Sequence, residues 1–444
     1  MHHRIHRGII ELAFKIQGSK KIQYLEEVLL HEQNSYERAY HLQLEHFKLL
    51  FTYCKAEIPY YRNLFTKLKL EVNDFKFLED LEKIPLLTKE IIRENPGSFY
   101  PKKPYGRFVL NSTGGSTGVP MKFRISEKCN SMGWAVEYRA YMKAGYQLGE
   151  PIAIFGGASL IKTELNLTGR IKHFILNDLS LSSYGMSEVD LFGFFDRLNR
   201  RRPTIIYGYA SSIAYFANFL LSRNLSLDFE IKGVFTTSEM CTENWRKVIC
   251  AGFKCRVFDD YGLNDSGVSA IEDPNGLRVI NTERSILEVV NADGQSILDA
   301  EGMIIGTSLF NYDFPFIRYN TGDDGIVSAK YIKSGSANRL VLDKLSGRQT
   351  DYLILNKKTV GSPVLTVLMS KVEVLGYQFI QWGVDNLEVR LQYNDNSQQS
   401  QDEIVSYIQT SLKSHLGEFN LSINFNTEFI HFDKHRFIVR MIES

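Results

Sequence analysis

Residues 111–120 read NSTGGSTGVP and combine three glycines with four hydroxyl side chains. Glycine allows backbone conformations and close approaches that other residues resist, and Ser and Thr add hydroxyl donors beside exposed amides. Such a nest of donors favours an anion. On this run alone two interpretations are open: a loop that holds phosphate, or a flexible Gly/Ser connection in a hairpin.

The segments on either side of this run are apolar and β-prone. Met121, Phe123 and Ile125 alternate with polar residues, which is the pattern of a strand rather than of a helix. The GxxxxGK[ST] pattern of nucleotide hydrolases is absent. A loop of the ordinary hydrolase type is therefore not expected here.

Three compact motifs follow in order: YGLNDSG at 261–267, RYNTGD at 318–323 and SGRQTD at 346–351. Taken singly, NDSG is an ordinary turn sequence and TGD a common tripeptide. Their carboxylates can bind a hard cation or accept hydrogen bonds from a sugar diol. Towards the end of the chain, residues 432–440 read FDKHRFIVR and include Lys434.

The elements that must position these motifs change along the chain. Up to about residue 94 the pattern predicts helices, with 24–46 running into 47–56 and a break at Ile58-Pro59. From residue 106 strands and helices alternate, which predicts a layered α/β fold. After residue 275 short strands separated by turn pairs predict a small twisted β element, and α+β composition returns beyond Arg348.

Composition limits the function. The 444 residues predict two or three domains, and 52 basic against 51 acidic side chains give no overall field that would favour nucleic acid. Five scattered cysteines favour reduced thiols in a cytoplasm, and a metal site at Cys241, Cys250 and Cys255 is the less favoured alternative to buried packing. No apolar run is long enough to span a membrane, while the basic, amphipathic start of the sequence suits either a membrane surface or the protein's own core.

Together with TGGSTGVP, the three motifs resemble those of the adenylate-forming ligases. The branch that includes phenylacetate-CoA ligases and members associated with capsular polysaccharide biosynthesis is the most similar. The resemblance extends to IPYYRNLF at 58–65 and LEKIPLLTKE at 81–90, and so covers nearly the whole chain. It implies an α/β fold, with a large adenylation domain of layered α/β sheets and a small β-barrel-like element at 1–345, and a small mobile α+β domain at 346–444.

The resemblance also implies roles for particular residues. Tyr261 would stack on adenine, Asp323 would accept hydrogen bonds from the ribose, and Asp265 would help to hold Mg²⁺. Arg348 would contact the nucleotide near the hinge, and Lys434 would stabilise charge on the α-phosphate. Further nucleotide contacts are implied for Thr113, Gly114, Gly115, Ser116, Thr117 and Gly118 in the loop, and for Ser238, Glu239, Asp260, Gly262 and Asn264.

Four positions depart from the family pattern. Asn264 and Asp265 stand where threonine or serine and then glutamate are usual, so the carboxylate is one methylene shorter. Thr350 stands where aspartate is frequent, and Asp433 replaces the glycine before the lysine. These departures keep a non-catalytic nucleotide-binding relative open as an alternative.

The implied reaction uses ATP and Mg²⁺ to activate a carboxylic acid as an acyl adenylate, with release of pyrophosphate. Transfer to coenzyme A is the first expectation, and transfer to an amine of a sugar in surface polysaccharide biosynthesis is the alternative. Aromatic residues such as Trp134, Tyr138 and Tyr141 would either line a pocket for the acid or belong to the core. The expected partners are a small-molecule acid and no nucleic acid, and the sequence leaves the oligomeric state open, with a dimer as one alternative.

Overall fold

The structure of the chain is a computed structural model. It describes residues 2–32, 34–112, 121–156, 167–183, 186, 188–238, 241, 243–331, 338–346, 352–356, 358–361, 365, 368–369, 371–393, 397, 399–430 and 438–441.

Helices and strands alternate along most of the described chain. The helices are α1 (His2–Ile16), α2 (Lys21–His31), α3 (Tyr36–Glu57), α4 (Pro59–Leu68), α5 (Lys89–Glu94), α6 (Glu127–Lys143), α7 (Leu167–Leu176), α8 (Glu188–Arg201), α9 (Ala210–Ser222), α10 (Glu243–Phe253) and α11 (Gln401–Leu416), with 3-10 helices at Val72–Asp74 and Leu78–Lys83. The strands are β1 (Phe108–Ser112), β2 (Lys122–Ser126), β3 (Ile152–Gly156), β4 (Asp178–Ser182), β5 (Ile205–Tyr209), β6 (Gly233–Thr237), β7 (Val257–Gly262), β8 (Ser269–Glu272), β9 (Arg278–Ile280), β10 (Ser285–Val290), β11 (Gly302–Ser308), β12 (Tyr319–Tyr331), β13 (Asn338–Ser346), β14 (Tyr352–Leu355), β15 (Lys358–Gly361), β16 (Val374–Gly383), β17 (Asn386–Tyr393), β18 (Asn420–Phe425) and β19 (Ile438–Arg440).

The chain divides into two compact units. The first comprises residues 1–113, 121–149 and 258–348, and the second comprises residues 114–120, 150–257 and 349–444. The predicted domain boundary between residues 345 and 346 stays a prediction.

The first unit contains an antiparallel sheet in the order β10-β11-β12-β13-β9-β8-β7. One face of it buries aliphatic residues of β8 to β13, among them Ala270, Val289 and Ile304. The helices before it enclose a stacked aromatic core in which Phe51 lies 4.3 Å from Phe65 and 4.9 Å from Phe75 between ring centroids. This sheet carries the 261–267 and 318–323 motifs.

Within the second unit, β6-β5-β3-β4 form a parallel sheet whose core is completed by α8, α9 and α10. Its later residues form an α+β group with the strand order β18-β17-β16-β19. Helix α11 buries Ile404, Ile408, Leu412 and Leu416 against that group, because side chains four residues apart share one face of a helix. The predicted α/β class, with a later α+β part, is confirmed.

The strand setting of the glycine-rich loop is also confirmed. Strands β1 and β2 pair antiparallel from Phe108↔Ser126 to Ser112↔Lys122, so residues 113–120 connect the two strands of a hairpin. One boundary was wrong. Helix α2 ends at His31 and α3 begins at Tyr36, because the side chain of Ser35 accepts a hydrogen bond from the Arg38 amide and caps a new helix.

Arg318, the first residue of the RYNTGD motif, is 2% exposed and connects several segments of the first unit. Its guanidinium forms an ion pair with Glu288 at 3.0 Å and donates to the carbonyls of Ile84 at 2.9 Å and Gly294 at 2.7 Å. Its backbone is left-handed, with φ 49°. A non-glycine residue keeps that conformation only where surrounding contacts demand it, as these do.

We expect Arg318→Met to lower the free energy of unfolding by about 3–5 kcal/mol, because it leaves the Glu288 carboxylate buried without its partner. Arg223→Met, which breaks the exposed pair with Glu188, should cost at most about 1 kcal/mol. Urea unfolding of both variants measures the difference. Equal losses in the two variants would contradict the structural role of Arg318, and the double variant Arg318→Met/Glu288→Met should recover part of the loss.

Candidate active site

The YGLNDSG motif forms the connection of the β7–β8 hairpin. Tyr261 pairs with Ala270 and Gly262 with Ser269, and the Leu263 amide donates to the Val268 carbonyl at 2.9 Å. Residues 264–267 therefore form the tight end of this hairpin.

Gly267 is required for that turn. Its φ is +70°, and a Cβ atom there would lie 2.8 Å from the Ser308 Oγ atom of β11. Both the left-handed backbone and the close packing exclude a larger residue. The turn is thus held against β11, which fixes the position of Asn264 and Asp265 earlier in the same turn.

Tyr261 and Asp323 meet although 62 residues separate them in the chain. The Tyr261 hydroxyl donates to Asp323 Oδ2 at 3.0 Å. On β12 the Thr321 hydroxyl donates to the Ile304 carbonyl at 2.8 Å and accepts from the Asp323 amide at 3.2 Å, which orients the carboxylate. Burial, reinforced by the charge of Asp323, raises the pKa of Tyr261 well above its usual value, so the phenol stays a donor.

Asp265 lies close enough to Asp323 for their charges to interact. Burial raises the pKa of the Asp265 carboxyl, and Asp323 adds to this, whereas the Ser266 amide at 3.0 Å and the charge of Lys89 oppose it. The Asp265 carboxylate offers oxygen ligands of the kind that Mg²⁺ prefers, and a bound cation would relieve its repulsion with Asp323. Mg²⁺ is commonly held by one or two carboxylates together with substrate phosphates, so Asp265 fits that role without a larger group of acidic ligands.

The LLTKE segment is fixed beside the TGD strand by backbone hydrogen bonds. The Leu87 amide donates to the Arg318 carbonyl and the Asn320 amide to the Leu87 carbonyl, both at 2.8 Å. Thr88 then caps α5 by accepting from the Ile91 amide. These contacts bring Lys89, at the start of α5, into the field of Asp265.

Asp260 points to the other face of β7, since successive side chains of a strand alternate. It is 5% exposed and hydrogen-bonds with Glu137 of α6. Burial and the neighbouring Asp260 raise the pKa of Glu137 well above its usual value, while Arg284 lowers it. Glu137 and Asp260 thus form a buried acid pair beneath the strand that carries Tyr261.

Helix α6 is anchored to the turn before β10. Arg139 forms an ion pair with Glu283 at 2.6 Å and donates to Asn281 Oδ1 at 2.6 Å. A Cβ atom at Gly133 would lie 3.5 Å from the Arg284 guanidinium, so the small residue lets that cation approach α6. The buried acid pair therefore sits next to a buried arginine.

The predicted site residues fall into three groups. Tyr261, Asp265 and Asp323 come together, with Gly262 and Asn264 on the same hairpin, Asn264 being exposed and Asp260 facing away from them. Ser238 lies in the second unit directly after β6, exposed and with φ 66°. The predicted residues Thr113, Gly114, Gly115, Ser116, Thr117, Gly118, Glu239, Arg348 and Lys434 lie outside the described residues.

Sequence reasoning missed Lys89, Glu137 and Arg284. A lysine at a helix start and a glutamate inside a helix look like ordinary solvated residues. Lys89 lies in the LEKIPLLTKE segment, but no local pattern marks the charge of any of the three as part of the site. Only the tertiary structure places Lys89 close to Asp265. It also places Glu137 close to both Asp260 and Arg284. Sequence patterns therefore could not have identified them.

The cysteine cluster packs as apolar side chains. Cys241 is 7% exposed within the core of the parallel sheet, and Cys250 and Cys255 pack against that core. In the part of the chain that the structure describes, no group of three or more His, Cys, Asp or Glu residues could hold a metal.

Two of the aromatic residues considered for an acid pocket are buried. Tyr138 and Tyr141 are 6% and 1% exposed.

Curated proteins of two kinds are similar to this chain. It is 26% identical over 398 residues to protein CapK of Staphylococcus aureus, covering 88% of this chain and 85% of that protein. It is 25% identical over 379 residues to a phenylacetate-coenzyme A ligase of Thermus thermophilus, covering 80% and 81%, and 26% identical over 380 residues to that of Escherichia coli, covering 80% and 83%. No family model matches the chain.

Solved structures share the fold. The crystal structure of 2-hydroxyisobutyryl-CoA ligase with 2-HIB-AMP and CoA in the thioesterification state gives a TM-score of 0.65 at 16% identity, covering 92% of this chain and 91% of that one. The same ligase in the postadenylation state gives 0.62, covering 92% and 90%. The predicted resemblance is confirmed: the chain is similar to CapK and to phenylacetate-CoA ligases over most of its length, and it shares its fold with 2-hydroxyisobutyryl-CoA ligase.

We expect Glu137→Gln to gain stability relative to the wild type as the pH rises. Folding raises the pKa of Glu137, so the stability that its proton contributes is fully present below the unfolded value of about 4.5 and is lost as the pH rises through the folded value. The amide of the variant has no proton to lose. Thermal unfolding midpoints between about pH 5 and 9 measure this, and Glu26→Gln, an exposed carboxyl on α2, is the control. Parallel curves for wild type and Glu137→Gln would contradict the buried acid pair.

Proposed function

We propose that this relative of CapK and the phenylacetate-CoA ligases uses ATP and Mg²⁺ to activate a carboxylic acid and then transfers the acyl group to coenzyme A. The observation that carries the proposal is the hydrogen bond of 3.0 Å between the Tyr261 hydroxyl and Asp323, with the Asp265 carboxylate beside it. This hydrogen bond joins two of the predicted nucleotide-binding motifs, 261–267 and 318–323, within a known ligase fold. The homologues and the fold indicate an adenylate-forming CoA ligase.

In this proposal the described residues hold the nucleoside end of ATP. The Tyr261 ring stacks on adenine, and its hydrogen bond keeps the Asp323 carboxylate oriented toward the ribose hydroxyls. Asp265 would hold Mg²⁺, which would supply charge stabilisation on the phosphate oxygens. Lys89 offsets the negative charge of this acidic region when the nucleotide is absent.

The remaining roles belong to residues outside the described part of the chain. Backbone amides and hydroxyls of the loop residues from Thr113 to Gly118 hold the β- and γ-phosphates, and Arg348 binds nucleotide oxygens with its planar donor fork. Lys434 donates to the α-phosphate. Each of these groups places positive charge or a donor where negative charge develops.

The reaction has two balanced steps. A carboxylate oxygen attacks the α-phosphorus of ATP, the bond from that phosphorus to the oxygen bridging to the β-phosphate breaks, and pyrophosphate leaves. The thiol sulfur of coenzyme A then attacks the acyl carbon, AMP leaves, and the thiol proton is released. The protein contributes positioning, charge stabilisation and exclusion of water from the mixed anhydride.

A second acceptor is an amine on a sugar of a surface polysaccharide. The similarity to CapK, over 88% of this chain, favours keeping it beside coenzyme A. A non-catalytic nucleotide-binding relative is the candidate of another class, and Asn264, Thr350 and Asp433 are the departures that favour it.

We expect Lys434→Ala to lower adenylation by about 10²–10³-fold, because an ammonium aimed at developing charge is lost. Hydroxylamine trapping of the activated acid, with ATP, Mg²⁺ and a panel of carboxylic acids, measures it. Lys413→Ala, which removes an exposed lysine of α11, should retain wild-type rates. Binding of ATP without any hydroxamate, for every acid in the panel, would favour the non-catalytic alternative.

We expect coenzyme A, and not an amino sugar, to accelerate AMP release from the wild-type protein loaded with the best acid of that panel. Mass spectrometry of the product identifies the bond formed, a thioester or an amide. Asp323→Asn should raise the KM for ATP in the same assay and leave the choice of acceptor unchanged, because its role is confined to the ribose. If the product is an amide, the acceptor is the sugar amine and not coenzyme A.

A further inference from the structure

Helix α1 has two apolar faces. Ile10 and Phe14 are 1% and 4% exposed and belong to the core of the first unit. Ile5, Leu12 and Ile16 are 56%, 59% and 77% exposed. One apolar face is enough to dock a helix on its own protein, so the second set needs a separate explanation.

The exposed residues form a continuous stripe. At about 100° per residue, Ile5, Leu12 and Ile16 fall within about 40° of one another around the helix axis. Ile10 and Phe14 point about 160° away from that stripe. The arrangement therefore presents one side of α1 to the protein and the opposite, equally apolar side to the surroundings.

Positive charge is concentrated in the same segment. The first 21 residues contain five basic residues, Arg4, Arg7, Lys15, Lys20 and Lys21, against one acidic residue, Glu11, whereas the whole chain has a net charge of +1. The side chain of Arg7 is 60% exposed, and Lys15 and Lys20 are exposed. The segment is thus a local basic region on a nearly neutral protein.

An exposed apolar stripe flanked by Lys and Arg is the chemistry of a helix that lies in a membrane interface. Anionic lipid headgroups attract the basic side chains, and the apolar stripe enters the boundary between headgroups and acyl chains. No helix in the described ranges is long and apolar enough to cross a membrane. A symmetric contact between two copies of α1 is disfavoured, because it would bring two basic segments together.

We propose that the stripe Ile5, Leu12 and Ile16 docks the protein reversibly on an anionic membrane surface, with α1 parallel to the surface. This inference is independent of the ligase reaction, since none of these residues belongs to the candidate active site. It assigns the surplus apolar face of α1 and the basic charge around it to one ligand, the anionic lipid bilayer.

Flotation of the full chain with phosphatidylcholine vesicles, with and without phosphatidylglycerol, tests the proposal. We expect binding only to the anionic vesicles, weakened at high salt. Ile5→Ser/Leu12→Ser/Ile16→Ser should lower partitioning by about tenfold or more, and Lys15→Gln/Lys20→Gln should lower it and reduce its salt dependence. The matched control is Val189→Ser/Leu298→Ser/Val384→Ser, which alters three residues that are 81%, 55% and 67% exposed elsewhere.

Circular dichroism and the thermal unfolding midpoint confirm that each variant is folded. The proposal is overturned if the wild type does not float with anionic vesicles, or if the stripe variant floats as the wild type does. Sedimentation of the protein without lipid tests the alternative, in which a second copy of the chain binds this face. If the wild type self-associates, the stripe variant is monomeric and neither binds vesicles, the face is a contact between copies and the membrane proposal is wrong.

Discussion

The buried guanidinium of Arg318 is the constraint on which the described part of the active site depends. It neutralises Glu288 on β10 and satisfies the carbonyls of Gly294, in the turn after β10, and of Ile84, which lies far earlier in the sequence. Its own carbonyl receives the Leu87 amide, which fixes the segment leading to Lys89. A charge removed from water demands all of these partners at once, so the arrangement is not easily distorted.

The RYNTGD motif consequently has two different parts. Arg318 acts in the interior of the first unit, whereas Asp323, five residues later on β12, meets Tyr261. The same division occurs on β7, where Tyr261 faces Asp323 and Asp260 faces the acid of Glu137. On β7, alternation along the strand sends the side chains of Asp260 and Tyr261 to opposite faces. Arg318 instead lies just before β12 with a left-handed backbone, and it is buried while Asp323 on β12 meets Tyr261.

Much of the fold was predictable because its patterns are local. Alternating apolar residues at 121–125 predicted β2, and the predicted return of α+β composition beyond Arg348 agrees with strands β16 to β18 and helix α11. The break between α2 and α3 was missed, since a single capping serine outweighed a helical pattern that continued on both sides. Of the site, Tyr261, Asp265 and Asp323 were recognisable by motif, whereas Lys89, Glu137 and Arg284 were not.

The sequence by itself determined the order of the motifs, the strand-loop-strand setting of the glycine-rich run, and the basic, amphipathic character of α1, because each depends on residue type, on residue order or on a period of two or 3.6 residues. Only the tertiary structure decided that Tyr261 bonds to Asp323 across 62 residues, that Asp260 pairs with Glu137, and which face of α1 is buried. These outcomes depend on which groups lose contact with water together. That is a property of the packed chain, and no local pattern encodes it.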